Sequence, residues 1–304
     1  MKIGFMMLVH LIGILVIAFI LNQYDWTQLF YNSEINVLWC VLLLPFNIFL
    51  ESIKMKEASS LSLIESVQVV FRGYLGQLIS PFGPGILLGR MIYLPFQKTG
   101  SVLSASIISS VCQTLITWTV GLFGFGLLYQ NFHIEWVNLN PMELMMFVGS
   151  ATIFLLILIF GFIIYSKKII GIQITNTLIE LKTLSNLVWY RQLGLSLIRY
   201  LLYTSQFMIL LAPFYAGTWW VLWMPVSCVF LLQSLVNLPS YGNLLVRTGA
   251  STLIFTQCGM EASHAIGASG LLLIINKVIP ALAGGLLILK DFRTHCLKKL
   301  FTTT

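Results

Sequence analysis

Hydrophobic residues in this chain are gathered into long uninterrupted runs, not spaced at the two-residue or 3.6-residue period that one buried face of a soluble strand or helix requires. Residues 3–21 and 151–165 contain no Asp, Glu, Lys or Arg, and comparable runs cover 35–50, 102–128, 143–165, 193–215 and 262–289. A helix needs roughly 20 apolar residues to span a hydrocarbon core about 30 Å thick. Six full crossings are therefore predicted. Two further apolar regions are interrupted: 69–96 at Ser80-Pro81-Phe82-Gly83-Pro84-Gly85, and 219–257 at Asn237-Leu238-Pro239-Ser240-Tyr241-Gly242-Asn243. Proline and glycine at that density end a helix.

Composition agrees with this reading. A mean hydropathy of +0.91 with 9% charged residues leaves too little polar surface to cover a soluble domain of 304 residues. The whole chain, 1–304, reads as a single integral membrane domain. Its net charge of +7 is distributed unevenly. Segments 22–34, 129–142, 216–219 and 258–262 contain no Lys or Arg, whereas the loops between them and the two terminal segments are basic. The positive-inside rule then places Met1, Ser185 and Thr304 in the cytoplasm and Asn32 and Asn138 outside, in an inner (plasma) membrane. Topology and anionic headgroups account for the basic balance, so nucleic acid is not an expected partner. The stretches 51–68 and 166–192 mix charges with apolar residues and are expected to lie along the cytoplasmic face as amphipathic helices or loop helices.

Because each full crossing changes sides, the interrupted region 69–96, with basic residues on both flanks, begins and ends in the cytoplasm. It is predicted to be a re-entrant hairpin of two half-helices, with non-helical backbone shielded by protein or water. The region 219–257 is either a matching hairpin entered from outside or two full crossings. The expected fold is thus an all-α polytopic membrane protein with six crossings plus two re-entrant hairpins, the alternative being eight crossings. The units 35–128 and 193–289 follow the same plan in opposite orientation. An offset of 159 aligns Ser104 with Ser263, Ser110 with Ser269 and Gly126-Leu127-Leu128 with Gly285-Leu286-Leu287. Inverted repeats with paired interruptions point to alternating access around a site between the repeats.

At these residues the chain resembles the membrane domain of the lysylphosphatidylglycerol synthase and flippase family, over most of its length. The first matching pattern is Pro81, Gly85 and Arg90. The second is Pro239, Gly242, Arg247, Gly259, Ala262 and Lys277. The resemblance implies a flippase-like protein that moves an anionic phospholipid or lipid-linked intermediate between leaflets. Family acids fall near Ile86 and at Thr248 here, and a later Glu-Arg and Asp pattern reads Gln113, Thr114 and Thr117, which puts proton coupling in question. The sequence holds no counterpart of the soluble aminoacyl-transfer domain, so lipid aminoacylation is not implied.

The candidate binding residues are Arg90, Arg247 and Lys277, with Pro81, Gly83, Gly85, Pro239 and Gly242 at the hairpin tips. An intramembrane cation is costly and commonly faces a cavity or a partner. The planar fork of Arg suits phosphate. Each Arg could equally cap carbonyls freed at its tip or snorkel to an interface, and Arg199, two turns from a helix end, is expected to snorkel. Gln77, Gln113, Gln206, Gln233, Asn237, Asn243 and Asn276 could line a polar path or simply bond between helices. Glu51 and Glu57, near Lys54 and Lys56 on an interfacial segment, read as solvated charge pairs. His264 reads as interfacial. No HExxH, GxSxG or P-loop occurs, and the five cysteines are scattered, so neither catalysis, a metal nor a cofactor is expected. Anionic membrane lipids are the expected partners, with a partner enzyme or a second copy of the chain also open. The competing function is a non-transporting lipid-binding or scaffold subunit of an envelope-lipid pathway.

Overall fold

A computed structural model describes residues 34–80, 85–92, 94–132, 186–236 and 240–301. The runs 3–21 and 143–165, the tip residues Pro81, Gly83 and Pro239, and the sidedness markers Met1, Asn32, Asn138, Ser185 and Thr304 lie outside the described residues.

Every regular element among the described residues is helical. In chain order they are α1 (Glu34–Ala58), α2 (Leu63–Ile79), α3 (Gly85–Met91), α4 (Phe96–Phe132), α5 (Asn186–Leu211), α6 (Trp219–Val236), α7 (Ser240–Gln257), α8 (Ala262–Leu273) and α9 (Ile279–Phe301), with a π turn at Ile274–Val278 joining α8 to α9. Five stretches are long and apolar enough to cross a membrane: Glu34–Ala58, Gln97–Tyr129, Leu187–Phe214, Trp219–Val236 and Ala262–Asp291. Four of them coincide with predicted crossings, and the fifth is α6. At 1.5 Å per residue, α6 and α7 are each about 27 Å long, whereas α3 is about 10 Å.

Two expectations for the loops are corrected. The stretch 51–68 is not one amphipathic helix: α1 continues through Glu51 and Lys54 to Ala58, and α2 starts afresh at Leu63. Ser62 caps α2 by accepting from the Glu65 N–H, and the Glu65 carboxylate accepts from the Ser62 N–H at 2.8 Å. Likewise residues 186–192 of the second basic segment form the opening turns of α5, and α4 begins at Phe96 instead of 102.

The packing of the two halves is mutually equivalent. Exchanging α1, α2, α3 and α4 for α5, α6, α7 and α8–α9 maps the packed pairs onto one another: α1·α2 onto α5·α6, α1·α4 onto α5·α8, α2·α9 onto α6·α4, α2·α3 onto α6·α7, and α3·α4 onto α7·α8. The exchanged pair α1 and α5 also pack together. They run antiparallel, as a ladder of side-chain contacts shows: Cys40 with Gln206, Asn47 with Arg199, Lys54 with Gln192 and Glu57 with Arg191.

Small residues let backbones approach closely at matching interfaces, as in helix packing within lipid. A Cβ on Gly284 of α9 would lie 2.2 Å from the Phe71 carbonyl oxygen of α2, and one on Gly124 of α4 would lie 2.6 Å from Ser227 Cβ of α6. In the α2–α3 pair, a Cβ on Gly76 would meet the Gly85 carbonyl at 2.2 Å. Gly85, a predicted tip residue, therefore serves this contact at the start of α3. At the end of α7, Gly259 takes φ 78°, the left-handed geometry that suits glycine, and the following Met260 N–H closes back on the Phe255 carbonyl at 2.9 Å.

Polarity is arranged inside out relative to a water-soluble protein. Ile35, Trp220, Leu282 and Leu286 are exposed, while Glu51, Lys54, Arg72, Arg90 and Arg247 are buried. Apolar solvent around the helices accounts for both halves of that pattern.

Candidate functional site

A cavity of about 360 Å³ opens between the halves, bounded by α1, α2, α3, α4, α5, α6, α7 and the α8–α9 junction. Arg90, Arg247 and Lys277 all line it, although they come from three different elements. The structure brings together the three cations singled out in the sequence and adds a fourth, Arg199.

Arg90 reaches the cavity because α2 gives it room. A Cβ on Gly73 would lie 2.8 Å from Arg90 Cγ, so only glycine leaves this path open without displacement. Its Nη2 donates to Glu51 Oε1 at 2.5 Å and its Nη1 to Ser106 Oγ at 2.9 Å, while its Nε is buried with no acceptor. Arg90 thus neither caps carbonyls at its tip nor snorkels.

Glu51 is the residue that sequence reasoning placed wrongly. It is 4% exposed, and its other oxygen accepts from Arg199 Nη1 at 2.7 Å, with Lys54 Nζ at 3.8 Å. The expected solvated pair is instead a buried carboxylate shared among three cations. Arg199 does not snorkel either: it also donates to Asn47 Oδ1 at 2.9 Å and to the Tyr74 hydroxyl at 3.2 Å.

Arg247 is 2% exposed and has only neutral partners, the Tyr203 hydroxyl at 3.0 Å and the Ser269 carbonyl at 2.6 Å. Its Nε is buried without an acceptor. Lys277 donates to Gln77 Oε1 at 2.8 Å and lies 5.2 Å from the Tyr74 ring centroid, a cation–π contact. Among the described residues no carboxylate lies within ion-pair distance of either cation.

Leu273, Asn276 and Lys277 line the cavity at i, i+3 and i+4, one face of the helix that runs through the π turn. Pro280 follows it, and a proline ring clashes with the carbonyl four residues earlier, here Asn276, so the widened turn accommodates it. Asn276 Nδ2 donates to Gln206 Oε1 at 3.0 Å, and its Oδ1 accepts from Asn47 at 2.8 Å. This chain joins α1, α5 and the π turn behind the cavity. Gln77, Gln113, Gln233 and Asn243 line the cavity directly, Gln206 sits one bond behind it, and Asn237 is outside the described residues. Gly242 lies half-buried in the first turn of α7. His264 stacks on Phe214 with ring centroids 4.0 Å apart.

What the wall can do follows from charge. Among the described residues four cations face the cavity against one carboxylate, in surroundings of low dielectric where Coulomb attraction is strong. Such a wall suits an anion with several acceptor oxygens.

The fold and site together define an all-helical protein with, among the described residues, five helices suited to crossing a membrane and a cationic cavity among its helices. Comparison of the chain with protein-family models, curated proteins and solved structures finds no match.

Proposed function

We propose that this protein is a flippase-like, multi-pass membrane protein of the inner membrane that takes the headgroup of an anionic phospholipid or lipid-linked intermediate into the cavity and moves it between leaflets by alternating access. The observation that carries this reading is the imbalance of charge: among the described residues, Arg90, Arg199, Arg247 and Lys277 share the cavity wall with one carboxylate, Glu51. Burying cations without counterions costs on the order of several kcal/mol each, and a bound phosphate would offset that cost.

The equivalence of the two halves supports the transport part. Corresponding helices α1 and α5 run antiparallel, as inverted repeats require, and the packed pairs α2·α3 and α6·α7 fit the paired hairpins of that plan. The resemblance to the lysylphosphatidylglycerol synthase and flippase family, carried by Arg90, Arg247 and Lys277, points the same way.

One observation favours a non-transporting lipid-binding or scaffold subunit. Glu51 on α1, already paired with Arg90 of its own half, also ties α1 to α5 of the other half through the Arg199 ion pair at 2.7 Å, which resists movement of one half against the other. Reconstitution separates the two readings. Protein in liposomes carrying a fluorescent anionic lipid is expected to expose inner-leaflet label to an external quencher, and Lys277→Met is expected to slow that exposure at least tenfold. A scaffold would leave the label distribution of protein-free liposomes unchanged.

A further inference from the structure

We propose that the cavity selects a lipid phosphate bearing at least two negative charges and no amine, a phosphomonoester or diphosphate, over singly charged diesters and amino-lipids. This rests on the anionic-lipid reading above and narrows its substrate class.

The argument against an amine starts at Glu51. Its Oε1 is taken by Arg90 and its Oε2 by Arg199, with Lys54 close by. Among the described residues, no other carboxylate lines the cavity. A headgroup ammonium would find no anionic seat and would face four cations.

The argument for more than one charge comes from the opposite side of the cavity. Four cations against one carboxylate leave a formal excess of three positive charges. A phosphodiester supplies a single negative charge, whereas a phosphomonoester supplies about 1.5 to 2 near neutral pH, and a diphosphate can supply more. The donors are also in surplus. Among the described residues, Arg247 and Lys277 bond only neutral groups, which leaves their charge uncompensated on the wall. A terminal phosphate, with three peripheral oxygens, meets such donors better than a diester with two.

The test is calorimetric titration of the full chain in detergent micelles with three short-chain probes: dihexanoyl phosphatidic acid, dihexanoyl phosphatidylglycerol and dihexanoyl phosphatidylethanolamine. Phosphatidic acid is expected to bind about tenfold or more tightly than phosphatidylglycerol, and phosphatidylethanolamine is expected not to compete. Arg247→Met should bring phosphatidic acid down to the level of phosphatidylglycerol. Lys277→Gln is the second variant if the first does not fold. Equal binding of phosphatidic acid and phosphatidylglycerol, or competition by phosphatidylethanolamine, overturns the selectivity while leaving the anionic-lipid reading standing. Binding of none of the probes overturns both. Inorganic phosphate and pyrophosphate form the control arm: if either binds as tightly as phosphatidic acid, the ligand is a soluble phosphate and the lipid assignment is wrong.

Discussion

Replacing Glu51 with Gln keeps the shape of the side chain and removes the carboxylate that Arg90, Arg199 and Lys54 share. Arg90 would retain Ser106, Arg199 would retain Asn47 and Tyr74, and Lys54 would retain the Ser109 carbonyl at 3.3 Å. None of those partners is charged. Removing one member of a buried ion pair costs about 3 to 5 kcal/mol because the other charge is left uncompensated. The surviving neutral bonds and the cavity's access to water put the expected loss near the lower end, about 3 kcal/mol. A double-mutant cycle isolates the pair between the two halves: Glu51→Gln, Arg199→Met and both together, each unfolded by SDS titration in mixed micelles. Adding Arg199→Met to Glu51→Gln should cost less than Arg199→Met alone, with a coupling of about 2 kcal/mol, inside the range for contacting charged residues. A loss below about 1 kcal/mol for Glu51→Gln, or additivity within about 0.5 kcal/mol, would refute the view that this carboxylate holds the cluster together.

Three further outcomes are expected. Gly284→Ala and Gly124→Ala, which force a Cβ into the α2·α9 and α4·α6 contacts, should each destabilise by about 1 to 3 kcal/mol, whereas Gly126→Ala, where nothing lies within 4 Å, should be neutral or stabilising; thermal midpoints of the purified variants check this. Lys98 and the Ser62 N–H and hydroxyl hold the Glu65 carboxyl down at about 2, below its ordinary 4.5, so its contribution is present above pH 4.5 and is lost as pH falls through about 2. The stability difference between wild type and Glu65→Gln should therefore be constant above about pH 5 and shrink on acidification. Asn276→Leu should cost about 0.6 to 2 kcal/mol, as interhelical hydrogen bonds in membranes do, and should be measurable by the same SDS titration.

Length and hydropathy alone determined the class and much of the helix inventory, because lipid imposes the same demand on every run of about 20 apolar residues whatever its neighbours are. Arg90, Arg247 and Lys277 were legible for the same reason: a cation inside an apolar run stands out locally. Their position on one cavity was not. It depends on Gly73 leaving a path for Arg90 and on how α3, α7 and the π turn, distant in the chain, pack around one space. The role of Glu51 was hidden altogether. Next to Lys54 and Lys56 it has the local pattern of a surface charge, and what buries it is Arg199, 148 residues further along the chain. Local sequence reports the cost of placing a group in lipid, whereas the partner that offsets that cost is chosen by how distant helices pack, and so only the tertiary structure could make Glu51 the centre of the site.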